Sequence, residues 1–256
     1  MSDLTSFRYF LELSYLGTRY AGFQIQENAH TVQAEVERAL TVLLREEVRC
    51  TGSSRTDAGV HAFQNYFHFN VSQEVPSGTP YRLNAILPPD IAVLGLWGVG
   101  DGAHCRFDAI SRSYRYVIYR RKDPFLDGRG WFLPYPLDGD ALQACAAMIP
   151  AYEDFSAFAK RNSQAKTHIC RILHSTWEEH PWGWAYRVEA NRFLRGMVRG
   201  LVGTMVQAGR GKLDMDGFRS ILEKRDNQLA DFTAPGKGLF LERVRFPEGY
   251  FGTSLE

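Results

Sequence analysis

Two periodicities near the start of the chain constrain its fold more than any other feature. Arg8 to Tyr15 alternates, with Tyr9, Leu11, Leu13 and Tyr15 on one face and Phe10, Glu12 and Ser14 on the other, which is the period of a strand. From Val32 onward, Val36, Ala39, Leu40, Leu43 and Leu44 recur at helical spacing behind a capping Thr31, with Glu35, Glu37 and Arg38 facing outward. A strand and an amphipathic helix in one segment need a sheet with that helix laid against it.

The same two patterns recur to the end. Strands are expected around Val48 to Thr51, Gln64 to Val71, Ile91 to Trp97, Ser113 to Arg120, His168 to Trp177, Trp184 to Ala190 and Leu239 to Phe246. Helices are expected at Tyr81 to Leu87, stopped by Pro88 and Pro89, and at Asp138 to Ile149, Phe193 to Ala208 and Asp214 to Lys224. This predicts an α+β fold of two similar halves, with mixed, largely antiparallel sheets flanked by helices around a central RNA-binding cleft. With 256 residues, 45% of them hydrophobic, the chain can bury a large core or two joined ones. The Pro/Gly-rich piece at 123–139 is the expected junction between an N-terminal half, 1–122, and a C-terminal half, 140–256, that carries a basic helix.

The formal net charge is only +1, yet the cations are clustered. Asn191 to Leu213 carries Arg192, Arg195, Arg199, Arg210 and Lys212 with no carboxylate. Phe155 to Ser175 holds Lys160, Arg161, Lys166 and Arg171 with His168 and His174, and Arg106 to Lys122 has six cations against Asp108. Three basic stretches interleaved with aromatic residues point to a polyanion, since phosphate neutralisation releases counterions and aromatic rings stack on bases. Each stretch alone reads equally well as a solvated face.

The first residues carry charges where a signal peptide has an apolar core, and no stretch approaches ~20 apolar residues, so the chain reads as cytoplasmic with no membrane segment. The cysteines, at 50, 105, 145 and 170, are too scattered for a disulfide framework and are expected to be reduced. No GxSxG, HExxH or GxxxxGK[ST] motif occurs, and the seven histidines lie far apart in sequence, so no metal is expected.

The sharpest local feature is Gly52-Ser53-Ser54-Arg55-Thr56-Asp57-Ala58-Gly59-Val60-His61-Ala62, set between two strand patterns. Asp57 offers a carboxylate and Arg55 a cation for it or for a phosphate. By residue type alone the loop also reads as ordinary turn chemistry, with Asp57 capping backbone amides.

Arg55-Thr56-Asp57-Ala58-Gly59-Val60-His61-Ala62 resembles the RTDxGVHA motif of the tRNA pseudouridine synthase A family. The likeness extends along nearly the whole chain, through Tyr15-Leu16-Gly17-Thr18 with Tyr20 to Gln24, Thr31-Val32-Gln33, and Asn84 with Leu87-Pro88. It continues in Arg106-Phe107-Asp108-Ala109 with Tyr114-Arg115-Tyr116, Asp154 to Phe158, Phe193 to Arg199, Val202-Gly203-Thr204, and Ala234-Pro235 with Gly238-Leu239. One departure is Ser54, where the family usually has glycine.

The resemblance implies isomerisation of uridine to pseudouridine at positions 38, 39 and 40 of the tRNA anticodon stem-loop, by a homodimer without cofactor or metal. It implies Asp57 as the catalytic aspartate, Tyr114 as the active-site tyrosine and Arg199 as the arginine paired with the aspartate. Arg55 matches the arginine that accompanies base flipping. Arg195, Arg115, Lys160 and Arg210 are the expected further RNA contacts, drawn from the basic stretches. Phe107, Phe155 and Phe158 are expected in the core. The rival readings are a non-catalytic RNA-binding module, which would not require Asp57, and a glycoside hydrolase or nucleosidase, which would need a second carboxylate that the loop does not offer.

Overall fold

The computed structural model describes residues 6–160 and 165–255. The chain forms two compact units, the first made of residues 1–110 and 241–256, the second of 111–240.

In the first unit, β1 (Phe7–Tyr15) pairs antiparallel with both β3 (His61–Val71) and β4 (Ile91–Val99), and β2 (Cys50–Gly52) adds antiparallel to β3. The last strand, β9 (Leu239–Arg245), returns to lie beside β3, where Val244 N–H donates to Gln64 Oε1 (2.9 Å) and Ile110 N–H to Arg245 O (2.8 Å). The alternation read in β1 is only partly an inside/outside pattern, because Phe10 is fully buried as well as Leu11 and Leu13. Phe10 is covered by a ring cluster with Phe246, Tyr250 and Phe251, so its face of the strand is a second core. Helix α1 (Val32–Leu44) starts as expected, with Thr31 Oγ1 accepting the Ala34 N–H (3.3 Å), and buries Val32, Val36, Ala39 and Leu40. Helix α2 (Thr79–Ile86) packs on β4, and Asn84 ties it there by donating to Val93 O (3.0 Å) and accepting Val93 N–H (2.7 Å).

In the second unit, β5 (Ser111–Tyr119), β8 (Gly183–Ala190) and β7 (Ile172–His180) form an antiparallel sheet in that order, and the two-residue β6 (Trp131–Phe132) runs parallel to β5. Helix α3 (Gly139–Met148), capped by Asp138, packs against β7, α4 (Met197–Gly209) and α5 (Met215–Lys224). Phe155 and Phe158 are fully buried, as expected.

Two boundaries differ from expectation. The 123–139 stretch lies inside the second unit, leading through β6 into α3, and the C-terminal strand belongs mostly to the first unit. Sequence-local composition marked the loop, whereas pairing of β9 beside β3 decides which unit the end of the chain joins. The expected basic helix is apolar: α4 buries Met197, Val198, Leu201, Val202, Met205 and Val206 and holds one cation, Arg199. Gly196 (φ 74°) sits in a left-handed conformation that L side chains rarely adopt, and it starts the helix after Arg195 rather than before Phe193.

No helix among the described residues is long and apolar enough to cross a membrane, and all four cysteines are buried thiols.

Candidate active site

Strand β2 ends at Gly52 and β3 begins at His61, so residues 53–60 form the loop between two antiparallel neighbours. Its shape is set from beneath by one fully buried amide, Asn65 on β3. Asn65 Nδ2 donates to Ser54 O (3.0 Å) and to the Tyr15 hydroxyl (3.1 Å), while Oδ1 accepts the Ser53 hydroxyl (2.8 Å) and the Tyr66 N–H (2.9 Å). Tyr15 passes the linkage on, its hydroxyl lying 2.8 Å from Thr56 Oγ1. The Thr56 carbonyl accepts the Phe23 N–H (3.1 Å), and the Asp57 carbonyl accepts the Val60 N–H (3.1 Å). Ser53, Ser54 and Thr56 therefore face inward and are buried, Asp57 is half-buried and Arg55 is exposed.

The far side of the loop rests on Gly17, where any Cβ would overlap the Val60 carbonyl. Gly17 N–H also donates to His61 Nδ1 (3.0 Å), so this fully buried motif histidine spends a ring nitrogen on holding the loop to the turn after β1. Ser54, the departure from the family pattern, is not among the residues with positive φ, so its backbone does not need glycine. Its carbonyl is engaged by Asn65 and its side chain is buried, so the substitution fits a position that faces the protein.

The other expected site residues lie in the second unit. Tyr114 is on β5, its ring buried and edge-to-face with Phe193 (centroids 5.0 Å apart). Arg199 is half-buried in the first turn of α4, and its Nε donates to Ala234 O (2.7 Å), which fixes the plane of the guanidinium. Lys160 and Arg195 are brought together through the Lys160 N–H, which donates to Arg195 O (2.9 Å), and both side chains are exposed. Arg195 precedes α4, so it does not share a helix face with Arg199. Arg210 lies over the Tyr135 ring (4.6 Å), and Arg115 is half-buried over the Phe240 ring (5.5 Å). Not every cation of the basic stretches faces solvent: Arg112 is buried, with Nη1 donating to Asn191 O (3.1 Å), and Arg161 lies outside the described residues.

Phe107 is the clearest correction, being 73% exposed rather than in the core. It sits in the loop between β4 and β5, where Cys105 has taken the inward position. Nothing local to Tyr15 or Asn65 signals a role beneath the loop. Each reads as an ordinary strand residue, and only the pairing of β1 with β3 brings both beneath the motif loop.

Among the described residues, His68, His104 and Cys105 place their ligand atoms within 4.8 Å of one another, a cluster hidden by their separation in sequence. Their nitrogens serve the loop: His68 Nδ1 accepts the Cys105 N–H (3.3 Å) and His104 Nδ1 accepts the Arg106 N–H (3.2 Å). A metal-binding imidazole instead donates its second N–H outward, so this bonding gives a metal no support. A cleft of about 410 Å³ opens at the base of the same loop, along Gly98, Gly100, Gly102, Asp108 and Tyr250, and no residue lining it belongs to the Asp57 loop.

Burial, with His104 and Arg8 adding to it, pushes the His68 imidazole down to about 4. The unfolded chain takes up a proton near 6.5 and the folded one does not, so stability is present above about pH 6.5 and is lost as pH falls towards 4. Denaturant titrations of His68→Gln and the parent are expected to diverge across that window, with the parent losing up to about 3 kcal/mol more. Parallel curves would assign the acid sensitivity to other groups.

A family model described as tRNA pseudouridine synthase matches residues 13–108 and 152–247. A protein of Parabacteroides distasonis named tRNA pseudouridine synthase A is 42% identical over 248 residues, covering 95% of this chain and 98% of that protein. One of the same name from Porphyromonas gingivalis is 41% identical over 249 residues, with 95% and 99% covered, and one from Staphylococcus aureus is 36% identical over 244, with 94% and 92% covered. The first matched segment contains the Asp57 loop and the second contains Arg199, with Tyr114 between them, and the chain belongs to the tRNA pseudouridine synthase family.

Proposed function

We propose that this chain isomerises uridine to pseudouridine at positions 38, 39 and 40 of the tRNA anticodon stem-loop, with Asp57 as its essential carboxylate, as a cytoplasmic homodimer that needs no cofactor or metal. The observation that carries this reading is the Asp57 loop itself. Three inward-facing residues are locked by buried hydrogen bonds, which leaves Asp57 half-buried and Arg55 exposed on a backbone that cannot drift.

The reaction breaks the N-glycosidic bond of uridine, turns the base while it is held, and joins C5 to the ribose carbon that N1 has left. An aspartate can attack that carbon, or take a ribose proton on the way to a glycal, and either role needs an ionised carboxylate on a pre-organised backbone. Arg55, exposed two residues away, is suited to a backbone phosphate or to the space vacated by a flipped base. Tyr114 offers a ring for the turning uracil and a hydroxyl for the C5 proton. Lys160 and Arg195, adjacent and exposed, are suited to RNA phosphates, as is Arg210; Arg115, half-buried over Phe240, is the member of the set with least access to solvent.

Arg199 is proposed as the cation that catalysis requires. Arg199→Ala is expected to keep the fold and lower turnover by orders of magnitude, and Arg199→Lys to recover only part, because lysine lacks the planar fork. Parental turnover of the alanine variant would remove Arg199 from the site.

The function is tested by incubating the protein with an anticodon stem-loop transcript and mapping pseudouridine by carbodiimide-dependent reverse-transcription stops. Stops at the three positions with no change in RNA mass are expected. Released uracil would indicate hydrolysis, and unchanged RNA would indicate binding alone.

A further inference from the structure

We propose that the exposed ring of Phe107, with the Arg106 guanidinium close by, is a stacking platform for an unpaired base of the tRNA. The inference uses only the family's tRNA substrate and is independent of the role assigned to Asp57.

The platform is built on a backbone pinned along its length. Ala103 N–H donates to Gly100 O (2.9 Å), and the N–H groups of Phe107 and Asp108 both donate to His104 O (3.1 and 3.0 Å). The Asp108 carboxylate accepts the His104 N–H (2.7 Å) and the Tyr250 hydroxyl, while Arg8 Nη1 donates to Ala103 O (3.0 Å) from β1. The fully buried Cys105 anchors the inward side, with its thiol donating to Thr51 O (3.1 Å).

Above this frame the loop presents a row of flat groups. The half-exposed His104 ring lies 4.2 Å from the Phe107 centroid at an interplanar angle of 35°, and the exposed Arg106 guanidinium lies 5.8 Å from the same ring. Phe107 remains 73% exposed, so its apolar surface contributes little to the fold. An exposed ring on a pinned backbone, with a planar cation and an imidazole close to it, matches the way proteins receive bases that are already unstacked: an aromatic surface for the base, and a positive charge for the adjoining phosphate. Such bases occur in RNA loops, and a duplex offers none. Because stacking tolerates any base, the platform would add affinity and orientation without choosing a sequence.

The test measures binding of an unmodified anticodon stem-loop transcript by the intact protein, and its readout needs no turnover. Phe107→Ala is expected to raise Kd between about 5- and 150-fold, the range for losing one stacked base. Its melting temperature should match the parent's, and its slope of log K against log salt should be unchanged, since no phosphate contact is lost. Phe107→Trp should bind within about twofold of the parent and show indole fluorescence quenching on RNA addition, because the larger ring still stacks. A parental Kd for Phe107→Ala would overturn the proposal, as would a weakened Kd with a flattened salt slope, which would mean that the loop binds through charge alone. If the stem-loop binds but is not isomerised, the functional reading fails while this test still gives its answer.

Discussion

Asp57→Ala protein is expected to fold, to bind tRNA and to release no tritium from C5-labelled uridine, a fall of at least ~10³-fold in turnover. The loop bonds described above run through the Thr56 hydroxyl and carbonyl, the Ser54 carbonyl, the Ser53 hydroxyl and the main-chain carbonyl of Asp57. None of these bonds uses the Asp57 carboxylate, so they remain in place when it is removed. Arg55 and the exposed cations proposed to contact RNA are untouched by the substitution. Folded Asp57→Ala that still releases tritium near the parental rate would refute the catalytic assignment, and loss of activity only in step with loss of fold would reduce Asp57 to a structural residue.

The largest effect on stability is expected from Asn65→Ala. The parent amide satisfies all its donors and acceptors within the protein, so alanine leaves the Ser54 carbonyl and the Ser53 hydroxyl buried without their main partner, and the Tyr66 N–H without the Asn65 acceptor. An orphaned buried polar group costs about 1–3 kcal/mol, so the substitution should remove about 3 kcal/mol or more. That corresponds to a fall in Tm of about 6–12 °C for a chain of this size. Tyr15→Phe removes only the hydroxyl between Asn65 and Thr56 and should cost about 1 kcal/mol. Both variants, assayed well below their Tm, should lose kcat with little change in tRNA affinity, because Tyr15→Phe releases Thr56, the neighbour of Asp57, and Asn65→Ala releases Ser54 and the Tyr15 hydroxyl that holds Thr56. Calorimetry showing parental Tm for Asn65→Ala, with parental kcat, would mean that the loop keeps its shape without this network.

The element order was legible in the sequence wherever a local pattern decided it. The period-two run of β1 and the helical spacing behind Thr31 each became the expected element, because strand faces and helix stripes are properties of neighbouring residues. The same locality misled at Phe193 to Gly196, where a run resembling the start of a helix contains a glycine at positive φ that postpones it to Met197. The short β6 was missed because two residues show no period, and its existence depends on β5 running alongside.

For the site, the sequence alone marked the Asp57 loop and the chemistry proposed for it, since the eight motif residues are contiguous and a carboxylate near an arginine is readable as letters. The support of that loop was decided by tertiary structure. Asn65 and Tyr15 stand far from each other in the chain and meet only because β1 pairs with β3, in a register that brings Tyr15 opposite Ala62 and Leu13 opposite Asn65. The orientation of Phe107 was likewise not a local property: a phenylalanine between an arginine and an aspartate satisfies either burial or exposure. The choice fell to Cys105, whose smaller side chain fills the space beneath the loop beside His68 and Thr51, leaving the ring outside. Chemistry that depends on adjacent residues is written in the sequence, whereas burial depends on which distant residues compete for the same volume, and only the folded chain resolves that competition.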